Sequence, residues 1–202
     1  VTGRAKHHIA PGLNVQPVHI EGFGNSEKVA KEKGEIYSSL PKNGTAVYNI
    51  DCEYSENYLR ATQEYMQILY TGSAEKAAIC GDEVNSNLLL FIDKGLNADR
   101  CPKAEFTWRG ESVLINLHVL GQHNIAKAAA AAACALAAGL DLQTIKMGLA
   151  KFSGVKGRMQ LKAGVRDCVV VDDTYNANPG SMMAAVDYLA SCDSKRVFIM
   201  GN

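Results

Sequence analysis

The pattern that most restricts the fold lies near the end of the chain. An apolar stretch, Cys168 to Asp172, precedes Asn178-Pro179, an N-cap followed by proline at the first helical position. The helix that begins there extends to about Ala190, and a second apolar stretch follows at Arg196 to Met200. The order strand, helix, strand predicts one βαβ unit of a parallel sheet, and therefore an α/β fold class.

The preceding residues add more strands and helices. Apolar alternation and turn residues predict strands at Ile9–Val15, Thr45–Ile50, Met66–Tyr70, Leu88–Asp93, Glu105–Trp108 and Ser112–Val119. Pro11 and Gly12 weaken the first of these. Helices are predicted at Ser26–Leu40, Tyr54–Tyr65, His123–Ala138 and Leu142–Ala150. The stretch SGVKG at 153–157 has linker character and predicts two parts, residues 1–156 and 157–202.

The helix His123–Ala138 contains ten alanines, so neighbouring elements can approach it closely, and Gly139 suits its C-terminal cap. The apolar stretch Ala128 to Leu140 is shorter than the roughly 20 residues of a membrane span, which predicts no membrane insertion.

Composition excludes some classes of function. Lysine plus arginine equal aspartate plus glutamate at 21 each, which argues against a broad nucleic-acid surface. The six cysteines form no C-x-x-C pair, so we expect reduced thiols, as in cytosolic proteins. The chain begins with Val1 and ends directly behind a predicted strand, and we therefore expect an internal piece of a longer protein.

Lys33 and His19 are the first candidate site residues. On a helical wheel Lys33 lies at the centre of an apolar face formed by Val29, Ile36, Tyr37 and Leu40. Such a lysine is paired, modified or part of a site, or else its stem extends to water. His19, on a glycine-flanked loop, is a candidate ligand or base, although many loop histidines are neither.

Two further segments are typical of nucleotide sites. Gly121 and Asn124 frame a helix start that suits an anion or a nucleotide, or is a simple cap. The run DDTYNANP at 172–179 follows a predicted parallel strand, where open α/β sheets bind ligands; turn and capping chemistry is the alternative. If the run at 172–179 binds a ligand, we expect Arg158 to reach a phosphate group of that ligand. No G-x-x-x-x-G-K-[ST] or G-x-G-x-x-G motif is present.

Five blocks of the sequence, taken in order, resemble the Mur ligases of peptidoglycan synthesis. They are HIEGFG, KGEIYSSLPKNGTAVYNID, LGQHNIAKAAAAAA, GVKGRMQ and DDTYNANPGSM. The resemblance implies the later part of a central ATPase domain, a mixed sheet with helices, followed by the start of a Rossmann-like C-terminal domain.

The resemblance also implies a reaction. The YNANP block is similar to that of the members that join D-alanyl-D-alanine to UDP-N-acetylmuramoyl-tripeptide. In the family, ATP phosphorylates the peptide carboxylate, the dipeptide amine attacks the acyl phosphate, and Mg²⁺ stabilises the phosphoryl charge. We accordingly expect a bacterial cytoplasmic monomer whose partners are these two substrates, with no nucleic acid.

Matching each position to the family assigns the site residues. His19 matches a magnesium ligand, and Lys33 matches a lysine that becomes a metal ligand when carbamylated; both are counted as catalytic with Arg158, which reaches the ATP phosphates. The other expected contacts are His123 and Asn124 with adenine, Asp173 with ribose, and Tyr175, Asn176 and Asn178 with the nucleotide and the incoming dipeptide.

Departures from the family keep other interpretations open. The family's phosphate-binding loop, magnesium-binding glutamate and N-terminal domain are absent from this sequence, and GQHN stands where the family has GRHN. Because the phosphate-binding loop is absent, we expect the 202-residue chain alone to lack ligase activity. A catalytically inactive nucleotide-binding or structural fragment is one alternative. A ligase similar to folylpolyglutamate synthase is another, which YNANP argues against.

Overall fold

The computed structural model describes residues 8–12, 31, 34–79 and 87–201. In this part of the chain six strands form one sheet, in sequence order from one edge to the other. The strands are β1 (Ile9–Gly12), β2 (Thr45–Asn49), β3 (Met66–Thr71), β4 (Leu88–Leu96), β5 (Pro102–Trp108) and β6 (Glu111–Asn116).

The sheet is mixed. Strands β1 to β4 are parallel, whereas β4, β5 and β6 are antiparallel neighbours. Arg109 and Gly110, both with positive φ, form the tight connection between β5 and β6, which can be short because antiparallel strands need no crossover. The predicted α/β fold class, a mixed sheet with helices, is confirmed.

Five α-helices are described: α1 (Ser55–Ala61), α2 (Ala74–Ile79), α3 (His123–Ala137), α4 (Leu142–Ala150) and α5 (Pro179–Ala190). Residue 31 and residues 34–38 are also helical and confirm part of the predicted helix at 26–40; residues 26–30, 32 and 33 lie outside the described residues. Helix α2 was not predicted. No helix among the described residues has the length and apolarity needed to cross a membrane.

Strand β1 tolerates Pro11 and Gly12 because of its position. Among the described residues it is the edge strand of the sheet and pairs only with β2. The missing amide hydrogen of Pro11 therefore leaves no bond to another described strand unmade. A Cβ added at Gly12 would clash with the Tyr37 hydroxyl. Glycine therefore lets the helical segment at 34–38 approach this strand closely.

Helix α3 packs against the sheet through its alanines, which agrees with the predicted close approach of neighbouring elements. Its fully or almost fully buried residues are Ile125, Ala128, Ala129, Ala130, Ala132 and Ala133. The helix ends at Gly139, whose φ is 87°, with hydrogen bonds from Gly139 N to Leu136 O and from Leu140 N to Ala135 O. These two bonds form a Schellman motif and confirm the predicted cap.

The predicted βαβ unit is wrong in its pairing. Strand β8 (Val169–Asp172) pairs antiparallel with β7 (Gln160–Ala163), a strand that was not predicted. Residues 196–200 carry no strand, and Val197 and Ile199 are 70% and 87% exposed. The short connection at 164–168 suits an antiparallel pair. The prediction failed because an apolar stretch indicates that a segment is a strand but does not indicate which strand it pairs with.

Candidate functional site

A cavity of about 750 Å³ lies between α3 and the segments that follow α4 and β8. Its polar wall comes from the N-terminal half of α3, from the turn around Arg158 and from the loop between β8 and α5. Its apolar wall includes Leu149, Phe152 and Val155. Six predicted site residues line it together: His123, Asn124, Arg158, Asp173, Asn176 and Asn178.

The turn at 154–158 is bound to the loop after β8. Tyr175 N donates to Gly157 O at 3.0 Å, and Met159 N donates to Asp173 Oδ1 at 3.1 Å. Gly157 has a φ of 72°, which favours glycine, and a Cβ there would lie 3.3 Å from Tyr175 N. The two predicted segments, SGVKG and DDTYNANP, therefore form one structural unit.

Arg158 is oriented by Tyr175. Its guanidinium carbon lies 4.1 Å from the centre of the Tyr175 ring, a cation–π contact. Tyr175 is exposed and is not among the residues that line the cavity, and its predicted contact with the nucleotide and the dipeptide stays a prediction. A stacked guanidinium keeps its hydrogen-bond donors at its edge for a phosphate.

The adjacent carboxylates Asp172 and Asp173 have different environments. Asp172 accepts hydrogen bonds from Lys162 Nζ and from the hydroxyl and amide of Thr174, the latter two at 2.7 and 3.2 Å. The Lys162 bond and then the Thr174 bonds hold the pKa of Asp172 at about 2, below its ordinary 3.8. Asp172 therefore links β7 to β8, while Asp173 lines the cavity.

The N-terminus of α3 supplies the opposite wall. Asn124 Nδ2 donates to Leu120 O at 2.6 Å, so this amide fixes the turn that precedes the helix. Gly121, with φ of 86°, would place a Cβ 2.6 Å from His123 Cε1, so its lack of a side chain makes room for the imidazole. Burial first, and then Lys127, lower the pKa of His123, which favours the neutral imidazole, while Asp173 acts in the opposite direction.

Asn178 is primarily a helix cap. Its Oδ1 accepts from Ser181 N at 2.9 Å, and Ser181 Oγ accepts from Asn178 N at 3.1 Å, which makes a capping box. The predicted N-cap and N1 proline are thus confirmed. The predicted contact of Asn178 with substrate stays a prediction.

The cavity residues that sequence reasoning missed include three with polar side chains: Asn49 at the end of β2, Tyr70 in β3, and Lys127 in α3. Lys127 follows His123 by four positions and Asn124 by three, so helical periodicity could have identified it. Asn49 and Tyr70 come from strands that are distant in sequence, and only the sheet places them there.

The predicted metal ligands, His19 and Lys33, both lie outside the described residues. Tyr37 and Leu40, on the same predicted face as Lys33, are buried. Within the described ranges no three histidine, cysteine or acidic side chains are grouped as metal ligands would be.

Comparison with known proteins gives consistent likenesses. Residues 1–135 match the family model of the Mur ligase middle domain. The UDP-N-acetylmuramoyl-tripeptide–D-alanyl-D-alanine ligase of Escherichia coli strain K12 is 37% identical over 191 residues, which are 94% of this chain and 39% of that ligase. The chain thus spans well under half of the relative it matches.

Two solved structures show the same similarity to Mur ligases. A crystal structure of MurF from Acinetobacter baumannii matches 95% of this chain and 39% of its own, with a TM-score of 0.81 and 27% identity. A MurF ligase from Thermotoga maritima in complex with ADP matches 92% of this chain and 40% of its own, with a TM-score of 0.70 and 22% identity, a likeness of fold. Since the family model covers more than half of the residues, the chain belongs to the Mur ligase family through its middle domain.

Proposed function

We propose that the chain carries nucleotide-binding machinery of an ATP-dependent ligase that joins D-alanyl-D-alanine to UDP-N-acetylmuramoyl-tripeptide. The observation that carries this proposal is the cavity that brings His123, Asn124, Arg158 and Asp173 together. The 37% identity to the Escherichia coli ligase supports the choice of substrates.

The cavity suits a nucleotide. Its volume of about 750 Å³ falls within the range of small-molecule sites. The Arg158 guanidinium can donate two parallel hydrogen bonds to a phosphate, and the Asp173 carboxylate can accept hydrogen bonds from ribose hydroxyls. ATP, when bound, supplies the phosphoryl group that activates the peptide carboxylate.

On the basis of the family resemblance, we also propose that His19 and a carbamylated Lys33 hold magnesium. The division at residue 156, the monomeric state and the bacterial cytoplasm are proposed on the same basis.

A chimaera tests the ligase activity. In it, the matching region of the Escherichia coli ligase is replaced by this chain, and ATP-dependent formation of the pentapeptide product is measured by mass spectrometry. We expect product, and a loss of about tenfold or more in kcat/KM for Arg158→Ala, because a charge-assisted hydrogen bond to phosphate is removed. Lys156→Ala, an exposed neighbour outside the cavity, is the matched control.

The alternatives give different results in the same assay. A folded chimaera that binds ADP in calorimetry but forms no product would support the inactive nucleotide-binding fragment. Joining of glutamate to a folate with no use of the muramoyl peptide would support a folylpolyglutamate synthase-like ligase. Either result contradicts the proposed function.

A further inference from the structure

The loop at 97–101, between β4 and β5, carries a cation that reaches the C-terminal end of α5. The Arg100 Nη2 atom lies 3.3 Å from Ser191 O and 3.3 Å from Asp193 Oδ2. Ser191 is the C-terminal cap of α5, where the helix dipole is negative and a cation is favourable. Arg100 and Ser191 are 91 positions apart, so this contact joins the sheet region to α5.

The loop that carries Arg100 is fixed to the sheet by Asn97. Asn97 Oδ1 accepts hydrogen bonds from Asp99 N and from Cys101 N, both at 2.9 Å. Asn97 Nδ2 donates to Leu117 O at 3.3 Å, which attaches the loop to the segment after β6. Because the base of Arg100 is held in this way, movement between the two partners falls on α5.

Helix α5 is weakly attached. None of its residues is buried, whereas six residues of α3 are. Ala185 and Tyr188, both partly buried, pack against the apolar cluster that contains Met159. A helix with so few buried contacts opens at a low cost in free energy, so one polar contact is a large part of what holds it.

The N-terminal half of α5 and its cap form part of the cavity wall. The residues concerned are Asn178, Gly180, Ser181 and Ala184. The 12 residues of α5 span about 18 Å, so Arg100 acts at the end of the helix remote from this wall. Since a helix moves as a unit, release of its C-terminal end would displace the wall.

We propose that Arg100 is a positioning residue: its contact with Ser191 and Asp193, here named the Arg100 latch, keeps the cavity-lining end of α5 in place. The side chains of Arg100 and Asp193 are 44% and 97% exposed, so dissolved ions screen their attraction. The latch therefore loosens as ionic strength rises. It acts on the shape of the cavity, whichever ligand binds there.

Lys94 provides a matched control. Its ammonium lies 3.1 Å from Glu105 Oε1, and the two side chains are 42% and 39% exposed, so this ion pair is also open to solvent. The pair joins β4 to β5 within the hairpin that carries Arg100. Truncation of Lys94 thus removes a similar ion pair but leaves the Arg100 latch intact.

The test is amide hydrogen exchange of the full 202-residue chain, measured by mass spectrometry at about 0.1 M and about 1 M NaCl, where the screening length falls from about 10 Å to about 3 Å. At the lower salt we expect Arg100→Ala to raise exchange rates about fivefold along all of α5, as for loss of an exposed charge at a helix end. High salt should bring the α5 rates of the original chain toward those of this variant.

Two further variants complete the test. Arg100→Lys should stay within about twofold of the original chain, because one nitrogen makes both contacts and a point charge can replace it. Lys94→Ala should leave the exchange of α5 unchanged. Circular dichroism confirms that each variant is folded.

Other results would overturn the latch. Unchanged α5 exchange in Arg100→Ala would make Arg100 an ordinary surface residue. Faster exchange confined to residues 188–191 would mean that Arg100 caps a fraying end and does not position the cavity wall. An equal response to salt in the original chain and in Arg100→Ala would show that this charge does not hold the helix. Because the measurement uses no nucleotide, each of these results leaves the proposed function intact.

Discussion

At the scale of single residues, hydrogen bonds give the adjacent carboxylates Asp172 and Asp173 different roles, the first in the stability of the fold and the second in the cavity. Its bonds with Lys162 and Thr174 join β7 to β8, and only Asp173 remains in the cavity. In the sequence the two positions are equivalent members of one polar loop. The pairing of β7 with β8 makes them different, because it places Lys162 opposite Val170, two positions before Asp172 and on the same side of the strand.

The lowered pKa of Asp172 predicts that the stability of the folded chain depends on pH. A carboxylate with a lowered pKa in the folded state contributes stability above its unfolded value, and that contribution is lost as pH falls from about 4 through about 2. We expect Asp172→Asn to lower the urea midpoint of unfolding at about pH 7, and the difference from the original chain to shrink in that acidic window.

The matched control is Asp167→Asn, an exposed carboxylate in the connection between the same two strands. It should leave the midpoint unchanged throughout the pH range. A constant difference for Asp172→Asn from neutral to acidic pH would show that its charge does not stabilise the pair.

At the scale of elements, helix α3 has two functions on two faces. One face packs against the sheet through buried alanines, and its N-terminal half also presents His123, Asn124 and Lys127 to the cavity. Alanine on the buried face allows the helix backbone to lie close to the sheet. The position of the site therefore depends on the small volume of these side chains.

Enlarging the buried face of α3 should destabilise the fold. Ala133 is 0% exposed, so Ala133→Leu adds atoms where there is no space and should cost about 1–3 kcal/mol. Ala131→Leu, an exposed position in the same helix, should change the free energy of unfolding by less than about 0.5 kcal/mol. Urea unfolding monitored by circular dichroism measures both; similar values for the two variants would contradict the close packing.

At the scale of the whole molecule, a small apolar cluster joins the six-stranded sheet region to the C-terminal segments. Cys101, Leu120 and Met159 are buried in it, and Val171, Ala185 and Tyr188 pack against them. Arg100 adds polar contacts, with its guanidinium 3.3 Å from Ser191 O and from Asp193 Oδ2. This cluster holds one wall of the cavity against the other.

Removal of the central side chain should loosen that junction. Met159→Ala should cost about 2–5 kcal/mol, as for a large-to-small change at a buried position. We expect faster amide hydrogen exchange in β8 and α5, with β2 and β3 unaffected, because the sheet keeps its own core. Met183→Ala, at an exposed position of α5, is the control, and uniform loss of protection across the chain would contradict a local role for the cluster.

The sequence by itself determined most elements and several of their ends. Asp141 caps α4 by accepting a hydrogen bond from Thr144 N. This cap, the capping box of α5 and the glycine end of α3 each involve residues within a few positions of each other. The alternation in β6 likewise indicated its buried face, with Val113 and Ile115 inside and Leu114 exposed. These features are local, so their energies depend little on the rest of the chain.

The tertiary structure decided which distant segments meet. It paired β8 with β7 instead of with residues 196–200, and it brought Lys127, Arg158 and Asp173 into one cavity. Strand partners and clustered charges depend on packing between residues far apart in the sequence, which no local pattern specifies. The family resemblance anticipated Arg158 and Asp173 as site residues. Helical periodicity could have pointed to Lys127 as a neighbour of His123, but only the folded chain placed it in the same cavity as Arg158 and Asp173.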